Sequence, residues 1–410
     1  MDNIEVINKI KMDNITYHGI GTLDFLDINW HILYECNYKC SYCFGSNTLT
    51  KDFISIDKLK HAVDQVFKIN VNQYNFTLLG GEVTFYPYFL DLVEYIYSFN
   101  KNISMLLITN GSKSIDYFQK LLSLIKDNSF LCVLSVHLEY ASLEHIKELI
   151  KLFNKNNRKL ALNFMVHPAL VDKTKEYFDE LAKFRYDYIF DINLMELREP
   201  PEFSNVDKRY TKELFDWIDN SRNLLQNNNY KINNEFYSDK IFPNSYFTLD
   251  KNYNNKNISI DHNIAIRNNL KNFNGFYCLG GTTLINILPN GDYSGGICGN
   301  LPILGNIYEN EIDIIKIINP IQCHLSQCGC DANDRINKYK YFDEFQNNIL
   351  SFIKNNSDLF LDNLKFIINK NTELTNKNTE LTNKNTELVN KISRFIPIKK
   401  WRDNLRNKYI

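Results

Sequence analysis

Between residues 30 and 225, short apolar runs alternate with stretches whose apolar positions recur every three or four residues. The runs are WHILYE (30–35), NFTLL (75–79), SMLLIT (104–109), LCVLSVHL (131–138), KLALNFMV (159–166) and YDYIFDINLM (186–195). Each is rich in β-branched or aromatic residues and bounded by turn formers, which predicts a buried strand. The stretches between them predict helices. Ser142 is placed as an N-cap before Leu143, Ile146, Leu149, Ile150 and Phe153, and Ser55 before Ile56, Leu59, Val63, Val66 and Phe67. Six strands alternating with helices predict successive right-handed βαβ units around a parallel sheet, over residues 28–226.

The pattern changes after about residue 226. Residues 227–270 are Asn-rich and lack a helical period, so this connecting segment reads as loop with short strands. Residues 271–340 read as a small Cys-rich α+β module, in which PNGD (289–292) between two β-rich runs predicts a hairpin. Residues 345–393 read as a helix that enters a seven-residue repeat: TELTNKN (372–378), TELTNKN (379–385), TELVNKI (386–392). Leu374, Leu381 and Leu388 occupy d and Asn371, Asn378 and Asn385 occupy a, with Leu364 and Ile367 extending the seam upstream. That pattern predicts a coiled coil and a homo-oligomer of low order; a lone exposed helix is the alternative. Residues 394–410 form a basic amphipathic tail. From 391 onward there are seven Lys/Arg and one Asp, mingled with Phe395, Ile396, Ile398, Trp401 and Leu405. Such a tail can lie on an anionic bilayer, or simply complement its helix dipole and the acidic body.

Composition narrows the function. The chain has 410 residues, 47 Lys+Arg, 48 Asp+Glu and a net charge of −1, which argues against a general nucleic-acid binder. Hydrophobic residues, at 44%, suffice for a large core, yet no run reaches the roughly 18 apolar residues of a membrane span. The start, MDNIEVINKIKMDN, has no apolar secretory segment, so the expected location is the cytoplasm, peripheral to the membrane's inner face if the tail binds lipid. Nine cysteines, an odd number outside a secretory context, favour metal ligation over disulfides. Cys132, within FLCVLSV, is placed as a buried strand residue.

The remaining eight fall into two sets. Cys36, Cys40 and Cys43 stand as C-x3-C-x2-C just after the first predicted strand. Three thiolates so close can hold three irons of a cubane and leave the fourth open, whereas a structural zinc would require another ligand. Gly80-Gly81-Glu82 follows the second strand and Thr109-Asn110-Gly111 ends the third; the latter is otherwise an ordinary strand-to-helix turn. On the fourth strand, alternation puts Ser135, His137 and Glu139 on one face, which suggests a lined cavity, and Asn163, Met165 and His167 form a similar set on the fifth. Cys278, Cys298, Cys323, Cys328 and Cys330 make the second set. Five thiols suffice for one fully ligated iron–sulfur cluster with one to spare; structural zinc is the rival.

The C-x3-C-x2-C motif with Tyr42 and Phe44, followed in register by Gly80-Gly81-Glu82, resembles the radical S-adenosylmethionine (SAM) superfamily. In its relatives a Pro often follows the Glu; here Val83 does. The resemblance implies an α/β fold with a partial (β/α)6 barrel and its site at the C-terminal strand ends. It implies a [4Fe-4S] cluster on Cys36, Cys40 and Cys43 that binds SAM. Tyr42, Gly80, Gly81, Glu82, Asn110 and Ser135 would be the SAM-binding residues, with the Glu82 carboxylate facing the methionine ammonium. His137 stands where many relatives have Asp, and His137 and Glu139 are the candidate catalytic residues. Cys278-Leu-Gly-Gly, the hairpin, Gly305-Asn306-Ile307 and the last Cys pair resemble the SPASM/twitch extensions that carry auxiliary [4Fe-4S] clusters. The implied activity is reductive cleavage of SAM and hydrogen abstraction from a substrate, with flavodoxin or ferredoxin as electron donor. For the substrate, a sugar or sugar nucleotide of surface-glycan synthesis leads, because the tail resembles the basic ends of some bacterial glycosyltransferases. A ribosomal peptide or a sulfatase is the alternative, and a non-catalytic iron–sulfur scaffold the competing class.

Overall fold

The computed structural model describes residues 10–19, 23–43, 53–126, 129–197, 206–226, 244–261, 265, 266, 268–298, 301–328, 334–342 and 346–375. A short first strand, β1 (Ile15–His18), belongs to a second sheet taken up below. Six strands then lie side by side in chain order: β2 (Phe25–His31), β3 (Gln73–Leu79), β4 (Ile103–Thr109), β5 (Phe130–Val136), β6 (Lys159–Val166) and β7 (Asp191–Glu196). Each runs parallel to the next. A helix follows each strand: α1 (Ile56–Lys68), α2 (Phe89–Ser98), α3 (Ile115–Leu124), α4 (Leu143–Lys155), α5 (Val171–Phe184) and α6 (Lys212–Gln226). These are the successive parallel βαβ units that the alternating pattern predicts.

Alternation along the strands sorts their side chains. Ile28 and Trp30, Phe76 and Leu78, Met105 and Leu107, Cys132 and Leu134, and Leu162 and Phe164 point to the helices. There they join Val63, Leu92, Phe118, Phe153 and Phe178 in one core. Burial of side chains of this size contributes about 1.5–3 kcal/mol each. The opposite face carries a small apolar band of Leu106, Ile108, Leu131, Val133 and Ala161, flanked by polar residues.

The strand ends differ from the apolar runs in three places. β2, the first of the strands read from the apolar runs, begins at Phe25 rather than Trp30, and Ile32–Glu35 leaves the sheet to lead into the first cysteine loop. Asp27 and Asn29 interrupt the hydrophobic pattern there. They are nevertheless buried, because Asn75 and Arg335 donate to Asp27 (2.7 and 3.0 Å) and Asn29 donates to Asn286 (2.7 Å). The fourth strand stops at Val136, where the chain turns back and the N–H groups of Tyr140 and Ala141 donate to the His137 carbonyl. The sixth starts only at Asp191; Tyr186 is 59% exposed in the preceding turn.

The second half of the chain divides between two sheets. β8 (Asn244–Leu249) and β9 (Asn257–Asp261) form a hairpin beside β1, and β10 (Tyr277–Cys278) lies further across the same sheet. β11 (Leu284–Ile287) instead pairs parallel to β2. β12 (Asp292–Ser294) and β13 (Ile303–Asn306) continue from it, extending the barrel sheet to nine strands. The PNGD turn joins β11 to β12, with Gly291 at φ +87°. After the short helix α7 (Ile314–Ile317), β14 (Ile321–Gln322) and β15 (Lys338–Tyr339) return to the other sheet, whose order is β14-β10-β15-β1-β8-β9, antiparallel throughout.

The chain continues through α8 (Gln346–Asn355) and α9 (Ser357–Thr375). Asn356 interrupts them: its side chain accepts from the Asn70 N–H at 2.6 Å and donates to the Asn70 carbonyl. Phe360 and Leu364 are buried in the main core (2% and 3% exposed). Leu364 therefore packs inside this chain, which corrects its placement at an intermolecular seam. The repeat from 376 onward, the tail at 394–410, residues 227–243 and Cys330 lie outside the described residues. Among the described residues no helix is long and apolar enough to cross a membrane.

Candidate active site

The first cysteine loop hangs from the C-terminal end of β2, where the openings of parallel β/α barrels gather their chemistry. Its base is zipped to the segment after β3: the Gly81 N–H donates to the Leu33 carbonyl (2.9 Å) and the Glu82 N–H to the Glu35 carbonyl (2.8 Å). A Cβ on Gly80 would come within 2.4 Å of the Leu33 carbonyl oxygen, and one on Gly81 within 2.2 Å of that of Glu35. Only glycine fits this approach. The glycines thus allow close contact between two backbones.

Glu82 likewise turns inward. It is 1% exposed, and its carboxylate accepts from the Thr84 N–H (3.0 Å), the hydroxyls of Thr84 and Thr109, and the Asn110 N–H (2.6 Å). Those four donors occupy the group that the sequence assigned to an ammonium ion. What this segment presents outward is the exposed Gly81 backbone. Asn110 links the end of β4 to the cysteine loop: its amide donates to Asn37 Oδ1 (2.9 Å) and reaches Cys36 Sγ at 3.8 Å, while Asn37 donates to Ser112 Oγ (2.8 Å).

The loop's other flank is clamped from β5 and β6. Ser41 donates from its N–H and its hydroxyl to the two carboxylate oxygens of Glu139, and the same hydroxyl lies 3.2 Å from His167 Nε2. The Tyr42 hydroxyl meets His137 Nδ1 at 2.7 Å, with the two rings stacked. Tyr38 stacks on Tyr140 at 4.5 Å, and the Tyr140 hydroxyl bridges the N–H and carbonyl of Lys39. Because β5 ends at Val136, His137 and Glu139 sit in a turn, not on one strand face with Ser135. Both contact the cysteine loop, Glu139 through Ser41 and His137 through Tyr42. Ser135, half-buried, pairs in register with Asn163 on the open face of the sheet, and Asn193 donates to Asn163 at 3.4 Å. Ser41, Asn37 and Tyr38 escaped sequence reading. Their one signal was their position between the cysteines.

Cys36 is half-buried, Cys40 buried and Cys43 exposed. Burial, then Glu139 and the neighbouring thiols, push the Cys40 thiol up to about 12, and burial raises Cys36 as well. Thiols that oppose one another's ionisation this way need a cation to become thiolates. Among the described residues no three His, Cys, Asp or Glu side chains converge tightly enough for a mononuclear ion. A cubane spreads its charge over a wider donor set, and three thiols on one short loop suit it.

The second set has the same character. Cys278 and Cys328 are buried, and Cys298 and Cys323 half-buried. Burial first, and then one another's charge, raise Cys278 to about 12 and Cys298 to about 11; the Cys323 thiol is raised from the same causes. The backbone gathers them: Cys323 N–H donates to the Phe276 carbonyl and Cys328 N–H to that of Lys271, both at 2.8 Å.

Residues 30–185 match the model of the radical SAM superfamily. An S-adenosylmethionine-dependent nucleotide dehydratase of Psychrobacter lutiphocae is 32% identical over 111 residues, 24% of this chain and 37% of that one. One from Selenomonas ruminantium is 34% identical over 86 residues, 21% of this chain and 30% of that one. The chain thus spans about a third of the length of the curated relatives it matches. Among solved structures, native anSMEcpe with bound AdoMet and Kp18Cys peptide has a TM-score of 0.45 at 18% identity, covering 73% of this chain and 81% of that one. Streptococcus suis SuiB bound to precursor peptide SuiA has a TM-score of 0.45 at 16% identity, covering 72% and 65%. Residues 30–185, which carry the cysteine loop and its brace, are thus similar to the radical SAM superfamily, and the six parallel strands around them run from Phe25 to Glu196.

Proposed function

We propose that this chain is a radical SAM enzyme that cleaves SAM reductively and abstracts hydrogen from a substrate C–H bond. The observation that carries this reading is the three-thiol loop locked at the C-terminal strand ends between the Glu82–Asn110 brace and the His137–Glu139–His167 clamp. Cys36, Cys40 and Cys43 would hold a [4Fe-4S] cluster. When bound, that cluster supplies one electron to the sulfonium of SAM, giving methionine and a 5′-deoxyadenosyl radical. The protein's own part is orientation. The exposed Gly81 backbone and the Asn110 side chain flank the loop on one side, Tyr42 closes the other, and Ser135 and Asn163 offer hydrogen bonds on the open sheet face.

Four of Cys278, Cys298, Cys323, Cys328 and Cys330 would hold an auxiliary [4Fe-4S] cluster in a twitch-like module. The heptads from 372 onward would join copies of the chain, and the basic tail would rest on an anionic membrane surface. A small-molecule substrate, a sugar or nucleotide sugar, leads over a peptide. Relatives named for a nucleotide substrate support the small-molecule class, although they match only 21–24% of the chain.

Anaerobic incubation with SAM and dithionite tests the reading. Formation of 5′-deoxyadenosine supports it; iron-loaded protein that leaves SAM intact overturns it. Iron and sulfide at about eight per chain, two cubanes' worth, is expected if the second site is also an iron–sulfur cluster.

A further inference from the structure

Between the second and third cysteines of the first loop, Ser41 is exposed, as is Cys43. Burial therefore does little to place Ser41, and its hydrogen bonds decide where it sits. Directly behind it stands a buried group: His167, the residue after β6, is 5% exposed.

The imidazole is engaged at both nitrogens, and the two contacts fix which one carries the proton. The Ala169 N–H donates to Nδ1 at 3.0 Å, so Nδ1 presents a lone pair. Burial lowers the His167 pKa, with Glu139 and Asp207 working against it and Arg209 with it, and the ring is neutral. A neutral ring that accepts at Nδ1 carries its hydrogen on Nε2. Nε2 lies 3.2 Å from Ser41 Oγ and 3.8 Å from Glu139 Oε1, so it donates to the serine oxygen. The serine hydroxyl hydrogen is then left for Glu139 Oε1, while the Ser41 N–H donates to Glu139 Oε2 at 2.9 Å. The bonds all point one way, from Ala169 through His167 and Ser41 to the Glu139 carboxylate. Bonds in series that end on an anion strengthen one another. This order also excludes a nucleophilic serine, which would have to give its proton to the imidazole.

We propose that His167 is a positioning residue for the first cysteine loop, acting through Ser41 to set the path of the chain between Cys40 and Cys43. The inference rests on the reading above that this loop holds a cluster. Three thiolates on one short loop must meet three fixed irons, so free rotation at Ser41 would spread the Cys43 thiol over positions unable to ligate. The rival role is local. His167 precedes Pro168, and its Nδ1 caps the short turn Pro168–Leu170, which by itself would account for a buried histidine here. The ring also lies 5.5 Å from that of Tyr42.

Two substitutions separate these roles. His167→Asn places an acceptor where Nδ1 stands and keeps the cap, but is too short to reach Ser41. His167→Gln places a donor where Nε2 stands and keeps the bond to Ser41, but loses the cap. Both lose the ring, so the Tyr42 contact makes no difference between them. The first readout is amide hydrogen exchange on the full-length, metal-free chain, in the peptide that carries Ser41. Exchange should run about fivefold faster in His167→Asn, the effect of one lost hydrogen bond, and near the wild-type rate in His167→Gln. Ser41→Ala, an exposed change that leaves the core intact, should be at least as fast as His167→Asn. The double variant should be no faster than Ser41→Ala alone, because both changes break the same chain. After anaerobic reconstitution with iron and sulfide, the EPR signal that SAM perturbs should decay faster in air in His167→Asn than in His167→Gln. The reverse order of exchange, with Asn like the wild type and Gln fast, makes His167 a cap and overturns the proposal. Additive effects in the double variant overturn it as well. If Cys36→Ala takes up as much iron as the wild type, the cluster reading falls and the positioning role with it. That failure is distinct from the other, because exchange is read without metal.

Discussion

The carboxylate of Glu82 accepts the backbone N–H of Asn110 at 2.6 Å, tying the segment after β3 to the end of β4 directly beneath the first cysteine loop. With the Thr84 and Thr109 donors, it makes a buried anion satisfied entirely by protein. The loop is therefore seated on a preformed support.

Glu82→Gln should destabilise the fold. An amide NH2 would face at least one donor that now meets an oxygen, leaving a buried group unpaired at a cost of about 1–3 kcal/mol. The expected result is a lower melting temperature together with reduced iron loading; an unchanged melting temperature would contradict the buried role assigned to this carboxylate.

Replacement of Cys36, Cys40 or Cys43 by Ala should abolish formation of 5′-deoxyadenosine at least a hundredfold, while circular dichroism stays that of the wild type. The loop lies at the mouth of the barrel, outside the main core, so its thiols contribute little to folding. Residual SAM cleavage near the wild-type rate in any of the three would rule out the assignment of the first cluster.

Glu139→Gln and Tyr42→Phe each remove part of the clamp without touching a thiol. Gln can keep at most part of the double acceptance from Ser41, and Phe loses the contact with His137 but keeps the ring stack. Both variants should bind iron yet lose it several-fold faster in air, with altered EPR line shape. Wild-type kinetics of cluster loss would show that the clamp is incidental.

Asp27 gives the protein a pH signature. Burial outweighs Arg335 and Asn75 and raises its carboxyl to about 6, from an ordinary value of 3.8. A raised folded-state value means that the native protein binds the proton more tightly. This contribution to stability is full below pH 3.8 and is lost as pH rises through about 6. Asp27→Asn keeps an oxygen acceptor for Asn75 and Arg335 and removes the buried charge. It should stabilise the protein at pH 8, on the order of 2 kcal/mol, and flatten the pH dependence between 4 and 6. Thermal melts across that range check the sign.

Truncation after Thr375 should leave SAM cleavage intact and abolish self-association. Cutting earlier would remove Phe360 and Leu364 from the main core and confuse assembly with folding. Light scattering that gives one size for the full and truncated chains would count against the coiled coil.

How much could be read in advance depended on whether the signal was local. β6 matches its apolar run, Lys159–Val166, because it is flanked by clear turns and lies inside the sheet. Of the two N-caps read from the sequence, Ser142 accepts from the His145 N–H as local chemistry requires, whereas at Ser55 no side-chain cap bond forms. The start of β2 was obscured because Asp27 and Asn29 are buried polar residues, and their partners Arg335 and Asn286 lie some 250 to 310 residues away. Nothing near them in the chain announces that pairing.

The chain itself carries the order of strands and helices, the spacing of Cys36, Cys40 and Cys43, and the glycine pair before Glu82, since periodicity, thiol spacing and backbone freedom are properties of neighbouring residues. Tertiary structure alone decided that Glu82 faces inward, that His137 and Glu139 hold a loop, that β11 joins β2, and that Lys338 stands beside Cys278. Each of these is a pairing between distant segments. Hydrophobic collapse and backbone hydrogen bonding bring such segments together, and the partners exist only once the sheets have closed.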